Sequence, residues 1–263
     1  MTPYRMALAG FVLAAALAGK ARAEPSAFDH SAFDALLRKH VVRGRVDYDA
    51  FKAAPEFRAY LDSLARADLG ALSEQERLAL YIDAYNAYTI QLINVKGERD
   101  SIRNINKTMG LKLKGPWKEE LAVVGGRTCS LDDIEHDIIR KQFHEPRIHF
   151  ALVCAAISCP PLRSEAYTGA KLHAQLDDQA KLFLLESPAK NRVDLETGTL
   201  YVSMIFSWYK EDFGTSDAAI AAFVARFYPE GPEKQLLVSG NAKIATTAYD
   251  WTLNSQEPRS QEQ

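Results

Sequence analysis

Apolar residues recur every three or four positions in separate stretches of the chain, and the segments between them lose that period. Phe33, Leu36 and Leu37 predict a helix over 31–39, and a second amphipathic helix fits 57–64. Between them, Gly44-Arg45-Val46-Asp47-Tyr48 reads as a turn and a short extended piece. Ser73-Glu74-Gln75-Glu76 forms a capping box, after which Leu78, Ile82, Tyr85, Thr89, Leu92 and Ile93 mark the longest helix, ending at Gly97. The stretch 97–126 is rich in Lys, Asn and Gly and predicts a long surface excursion of the kind that frames sites.

Ser130 opens a further helix whose apolar stripe is Leu131, Ile134, Ile138 and Ile139. The run 147–153, preceded by Pro146, predicts a strand. A helix near 171–185 and a hairpin of 192–195 with 199–203 around Glu196-Thr197-Gly198 follow. Asp217 caps a helix through Phe227, 235–238 and 241–245 read as closing extended segments, and the tail 255–263 is polar and expected to be disordered. With helices, short extended segments, no repeat and no second domain, the pattern predicts one α+β domain over 24–254.

Composition changes this picture at one end. The 263 residues, 47% hydrophobic and 25% charged, suffice for one sizeable core. Arg5, the apolar run 6–19 and the small residues Ala21 and Ala23 read as a signal peptide over 1–23, too short for a comfortable membrane span. Removing it takes away Arg5, Lys20 and Arg22, moving the formal net charge from −2 to −5. The expected product is a mildly acidic periplasmic or secreted domain with no nucleic-acid partner and no stable membrane span.

Export alters the meaning of Cys129, Cys154 and Cys159, because disulfides persist outside the cytoplasm. With three cysteines, at least one stays unpaired within the monomer, and Cys129 is expected simply to pack. At about 100° per residue Glu135 falls inside the apolar stripe of its helix, so it requires a partner or a proton. Candidate partners are His149, Arg147 and His136. One reading is a Glu135–Arg147 salt bridge that fixes helix to strand. The other makes His149 a general base, oriented by Glu135 beside the thiol of Cys154 or Cys159. An extended strand would hold His149 and Cys154 roughly 16 Å apart, so contact requires a bend. A Cys154–Cys159 disulfide, needing Cα atoms within about 7 Å, is compatible with the intervening turn. The His, Cys and Glu spacing matches no zinc pattern, and no metal or cofactor is expected.

The chain over 36–254 resembles the domain of unknown function 547 family. The resemblance is carried by 44–48, Asp83-Ala84-Tyr85-Asn86-Ala87, Leu131-Asp132-Asp133-Ile134-Glu135-His136, 148–162, Trp208-Tyr209-Lys210-Glu211-Asp212-Phe213 and Tyr249-Asp250-Trp251-Thr252-Leu253-Asn254. It implies a distant likeness to papain-like and transglutaminase-like thiol enzymes, with helices packed on a small antiparallel sheet. The family pattern favours asparagine where this chain has Asp83 and often glycine where it has Ser158. An ionised Asp83 cannot donate to an oxyanion, which leaves Asn86 as the better donor or, alternatively, as a helix asparagine that binds a neighbour's backbone.

Two functions follow as expectations. The first is a cysteine-dependent hydrolase or acyl-transfer enzyme acting on an amide or peptide-like bond through Cys154 or Cys159, His149, Glu135 and Asn86. The alternative is a non-enzymatic periplasmic binding or structural domain with a Cys154–Cys159 disulfide. The partner in either case is an unidentified peptide-like or small-molecule ligand.

Overall fold

The computed structural model describes residues 27–108, 111–112 and 115–256. The leader expected over 1–23 lies outside the described residues, as does nearly all of the expected tail. Helix α1 (Ser31–His40) buries Phe33, Leu36 and Leu37, as its period requires. The hairpin β1 (Val41–Val42) and β2 (Arg45–Val46) turns through Arg43 and Gly44, both at positive φ. It leads into α2 (Tyr48–Ala53), a helix its short apolar pattern did not reveal, capped by the Asp47 side chain. Helices α3 (Pro55–Ala65) and α4 (Glu74–Lys96) follow. α4 starts at the Ser73 cap, ends at a left-handed Gly97 and is buried on nearly every side, as befits the central helix of the core.

The expected excursion carries the pairs β3 (Lys107–Thr108) with β4 (Leu111–Lys112) and β5 (Ala122–Val124) with β6 (Arg127–Cys129). Ser130 and Asp133 then cap one another reciprocally, each side chain accepting the other's amide. The helix they start is not uniformly α. It widens into a π-helix over Asp133–Ile139 before α5 (Arg140–Phe143), a departure often found at functional sites.

The strand expected over 147–153 is absent. Pro146–Phe150 forms a 3-10 helix instead, opened by the proline and by the Glu145 carboxylate, which accepts the Arg147 amide. A continuous apolar run is buried equally well in either conformation, and here no neighbouring strand supplies ladder partners. Residues two apart in this segment belong to different apolar clusters, Ile148 to the one around α4 and Phe150 to a second built from Phe183, Phe206, Phe213 and Phe223. The segment thus joins the two halves of the core.

Helix α6 (Leu172–Leu185) precedes the expected hairpin, β7 (Arg192–Asp194) and β8 (Thr199–Val202). Two short helices, α7 (Ile205–Trp208) and α8 (Lys210–Phe213), come next, followed by α9 (Asp217–Ala225), whose capping side chain is Ser216 rather than Asp217. The segment expected to be extended over 235–238 is helical, α10 (Pro232–Val238), started by a proline at its first turn. β9 (Lys243–Thr246) then adds parallel to β8, giving the order β7-β8-β9. The fold is α+β, with helices around small sheets. No helix among the described residues is long and apolar enough to cross a membrane.

Candidate active site

The segment 148–162 is gripped from several parts of the chain. Asn86 on α4 donates from Nδ2 to the Ala151 carbonyl at 3.0 Å and accepts the Val153 amide at 2.9 Å. Its carbonyl is thereby committed to backbone, and it does not line the cavity described below. Of the two roles open to it, this geometry is the backbone clamp. From the other side, the Ile157 and Ser158 amides donate to the Thr252 and Asp250 carbonyls, and the Ser158 hydroxyl accepts the Asp250 amide at 2.8 Å. Asn254 extends this clamp to the first hairpin, accepting the Tyr48 hydroxyl at 2.5 Å and donating to the Gly44 carbonyl.

Within the gripped loop, Cys154 and Cys159 form a disulfide with Cα atoms 6.2 Å apart. The structure therefore holds the disulfide of the two states open to these residues. Ala155, between them, lies in the left-handed region at φ 60°, an uncommon conformation for a residue with a Cβ. Cys154 is half-buried, whereas Cys159 is buried and its sulfur takes the Cys154 amide at 3.1 Å and the Tyr249 hydroxyl at 3.2 Å. Burial pushes the Tyr249 hydroxyl well above its ordinary pKa, so it remains a donor. Cys129 packs in the core, where burial raises its thiol to about 11.

His149 is 3% exposed, and its ring stacks on Tyr209 at 4.0 Å. Its Nε2 lies 2.6 Å from Asp212 Oδ2 on α8, while Arg140 binds both carboxylate oxygens of Asp212 at 2.6 and 2.9 Å. Burial alone would raise the Asp212 carboxyl, but the hydrogen bonds and charges of His149 and Arg140 outweigh it and hold the group well below the usual carboxylate range. An ionised carboxylate only accepts, so a neutral His149 carries its proton on Nε2 and presents a lone pair at Nδ1. That nitrogen is buried and has no hydrogen-bond partner. Glu135 Oε1 approaches it to 3.7 Å, beyond hydrogen-bond range.

Glu135 is buried, as its place in the apolar stripe predicts, and it lies close enough to the hydroxyls of Tyr85 and Tyr209 for its charge to act on both. Burial first, and then Glu135, push both phenols far above their ordinary pKa. The expected Glu135–Arg147 bridge does not form. Arg147 pairs with Glu145 at 2.5 Å and with Asp177 at 2.6 Å. Arg140 points a donor at Nδ1 of the half-buried His136, which fixes that ring as an acceptor there.

These groups meet at one cavity of about 180 Å³, lined by Glu135, His149, Cys154 and Cys159 together with a rim of aromatic rings. The structure brings together four of the five residues expected at the site and holds Asn86 one step behind them. Tyr85, Tyr209, Asp212 and Tyr249 had no assigned role in the sequence, although all four fall in the short motifs that carry the family resemblance. Asp83, by contrast, does not line the cavity. It is buried beside His30, with Nδ1 and Oδ2 2.9 Å apart, and burial raises its carboxyl although His30 opposes the shift. Among the described residues no cluster of three or more His, Cys, Asp or Glu side chains is placed to hold a metal ion.

The family model described as protein of unknown function, DUF547, matches residues 69–184. The match spans Asn86, Glu135, His149 and both bonded cysteines, while Tyr209, Asp212 and Tyr249 complete the site from beyond it. No curated protein and no solved structure matches the chain.

Proposed function

We propose that this chain, whose residues 69–184 match the DUF547 family model, carries in its cavity a thiol-dependent hydrolase or acyl-transfer site for an amide or peptide-like bond. On this reading the protein works outside the cytoplasm, where the Cys154–Cys159 disulfide is its resting form. The observation that carries the reading is His149. One ring nitrogen is anchored on an ionised carboxylate and the other is an unpartnered lone pair, in a cavity shared with Cys154.

The chemistry runs in balanced steps. An external dithiol reduces the disulfide, supplying two electrons and two protons and becoming a disulfide itself. His149 takes the proton of the Cys154 thiol, and the thiolate adds to the substrate carbonyl carbon. The C–N bond then breaks as the imidazolium returns that proton to the departing amine. Water, losing a proton to His149, attacks the thioester and releases the acid, and the proton returns to sulfur. Cys154 is the nucleophile because it is the more exposed of the pair. Asp212, rather than the expected Glu135, orients the histidine.

A second reading, a non-enzymatic binding domain, is favoured by the disulfide itself, which leaves no thiolate at the cavity. Alkylation separates the two. In the reduced protein Cys154 should label well below pH 8, where a cysteine of pKa about 8.5 is mostly protonated, and His149→Ala should move that profile toward the free-cysteine value. Identical profiles in two folded proteins would sink the hydrolase and leave the binding domain.

A further inference from the structure

The cavity has a sign and a texture that the thiol chemistry does not use. Six of its lining residues are aromatic and two are carboxylic, Asp132 and Glu135, whereas none is lysine or arginine. Its histidines do not compensate: His136 is held as an acceptor by Arg140, and His149 directs its Nε2 N–H at Asp212. Glu135 already lies beside two phenols, but half-buried Asp132 has no hydrogen bond or ion pair among the described residues.

The rings form a connected wall rather than scattered contacts. Trp208, Tyr249 and Trp251 pack mutually at 4.6 to 5.5 Å, and Trp117 meets Trp251 edge-on at 5.9 Å. Aromatic faces attract cations through their quadrupole, most strongly when the cation is desolvated. The fold already uses that attraction twice at this wall, seating the Arg103 guanidinium 5.1 Å from the centre of Trp251 and that of Arg140 5.3 Å from Tyr209. The rings of Trp117, Trp208 and Tyr249 hold no such cation among the described residues.

We infer that the cavity recognises an organic cation, so that its ligand presents an alkylammonium group to the aromatic wall with Asp132 as counter-charge. A neutral apolar ligand would bury the same rings but leave Asp132 facing it unpaired, and an anion would be repelled by both carboxylates. The inference rests on the cavity being the substrate site but is independent of the thiol mechanism. Under the hydrolase reading it specifies an amide substrate that carries a positive charge.

The test uses the full chain in its oxidised form and two probes of nearly equal shape, choline and its uncharged analogue 3,3-dimethylbutan-1-ol. All three tryptophans of the chain line this cavity, so intrinsic fluorescence reports occupancy directly. Choline should bind roughly tenfold more tightly than the alcohol. Asp132→Asn should weaken choline by roughly three- to tenfold and leave the alcohol nearly unchanged. Trp208→Leu, at a 44% exposed position where folding is not at stake, should weaken choline more than the alcohol. Equal affinities, no binding of either probe, or choline binding indifferent to Asp132→Asn would overturn the inference. Alkylation of the same protein after reduction reads the thiol mechanism separately. Choline selectivity with an inert Cys154 supports the cation site while the hydrolase falls; an activated Cys154 without choline selectivity overturns it while the hydrolase stands.

Discussion

His149 and Asp212 lie 63 residues apart in sequence and 2.6 Å apart in space, joined through Nε2 and a carboxylate that Arg140 also holds. Because the folded carboxyl sits far below its unfolded value, its contribution to stability is complete above about pH 4 and is lost as pH falls through the folded pKa. Asp212→Asn should therefore lower stability by about 1–3 kcal/mol at neutral pH. It should also flatten the acid limb of the stability profile. Urea unfolding from about pH 2 to pH 6 checks both, and a variant that parallels the wild type throughout would show the pair to be energetically idle.

Glu135 faces the opposite ring nitrogen, is 6% exposed and lies beside the phenols of buried Tyr85 and half-buried Tyr209. Glu135→Ala removes the carboxylate beside Tyr85 and Tyr209 and leaves a buried gap there, for which about 3 kcal/mol of destabilisation is expected. Glu135→Gln keeps the shape and should lose less. A loss below about 0.5 kcal/mol for the alanine variant, measured by urea unfolding, would be that of a surface residue and would contradict this placement.

The Cys154–Cys159 bond closes a loop of sequence separation 5, so its chain-entropy contribution is small, about 2 kcal/mol. The loop is also clamped by Asn86, by the Thr252 and Asp250 carbonyls and by the Ser158 hydroxyl. Reduction should leave the protein folded and lower Tm by about 4–8 °C. Calorimetry with and without dithiothreitol measures this. Outright unfolding on reduction would remove any competent dithiol form.

The parts of this architecture legible in the sequence are those fixed by local chemistry. The α4 helix was readable because Ser73 and Gly97 punctuate a long apolar period, and Glu135 stood out because one carboxylate interrupts a stripe. What escaped was decided by tertiary contact. Nothing local to 147–153 distinguishes a strand from the 3-10 turn that the core imposes, and with the strand went the extended spacing of roughly 16 Å expected between His149 and Cys154. Asp212 was hidden for a related reason: a carboxylate in a short exposed-looking motif gives no sign of the histidine it will meet. The π-helical widening of 133–139 likewise has no signature in an apolar period counted at α-helical pitch.

Lys190 donates to the Cys159 carbonyl at 2.7 Å, and burial, with Arg45 nearby, lowers its pKa to about 8. For a base whose folded pKa lies below its unfolded value, the unfolded chain binds more protons between the two. Stability should therefore rise as pH climbs from about 8 toward 10. Lys190→Met should be flat across that interval. Guanidinium unfolding at several pH values decides it, and an unchanged rise in the variant would assign the effect to another group.

Gly44 and Gly240 separate two causes of glycine dependence at this site. Their φ values are nearly the same, +76° and +75°, so alanine at either meets the same left-handed penalty, about 1 kcal/mol. Their surroundings differ: a Cβ on Gly240 meets nothing within 4 Å, whereas one on Gly44 lies 2.7 Å from the Pro161 Cα and 3.2 Å from the Leu162 amide nitrogen. Those are backbone atoms of the segment that follows Cys159, and Asn254 ties Gly44 to the same assembly. Relief requires the Pro160-Pro161 turn to move, at an overpacking cost of about 1–3 kcal/mol beyond the φ penalty. Gly44→Ala should thus destabilise by about 2–4 kcal/mol and Gly240→Ala by about 1 kcal/mol. Because Pro160 lines the cavity, the first variant should also weaken choline binding while the second leaves it intact. Equal losses in paired urea titrations would mean that the close approach of the first hairpin to the disulfide loop carries no energetic weight.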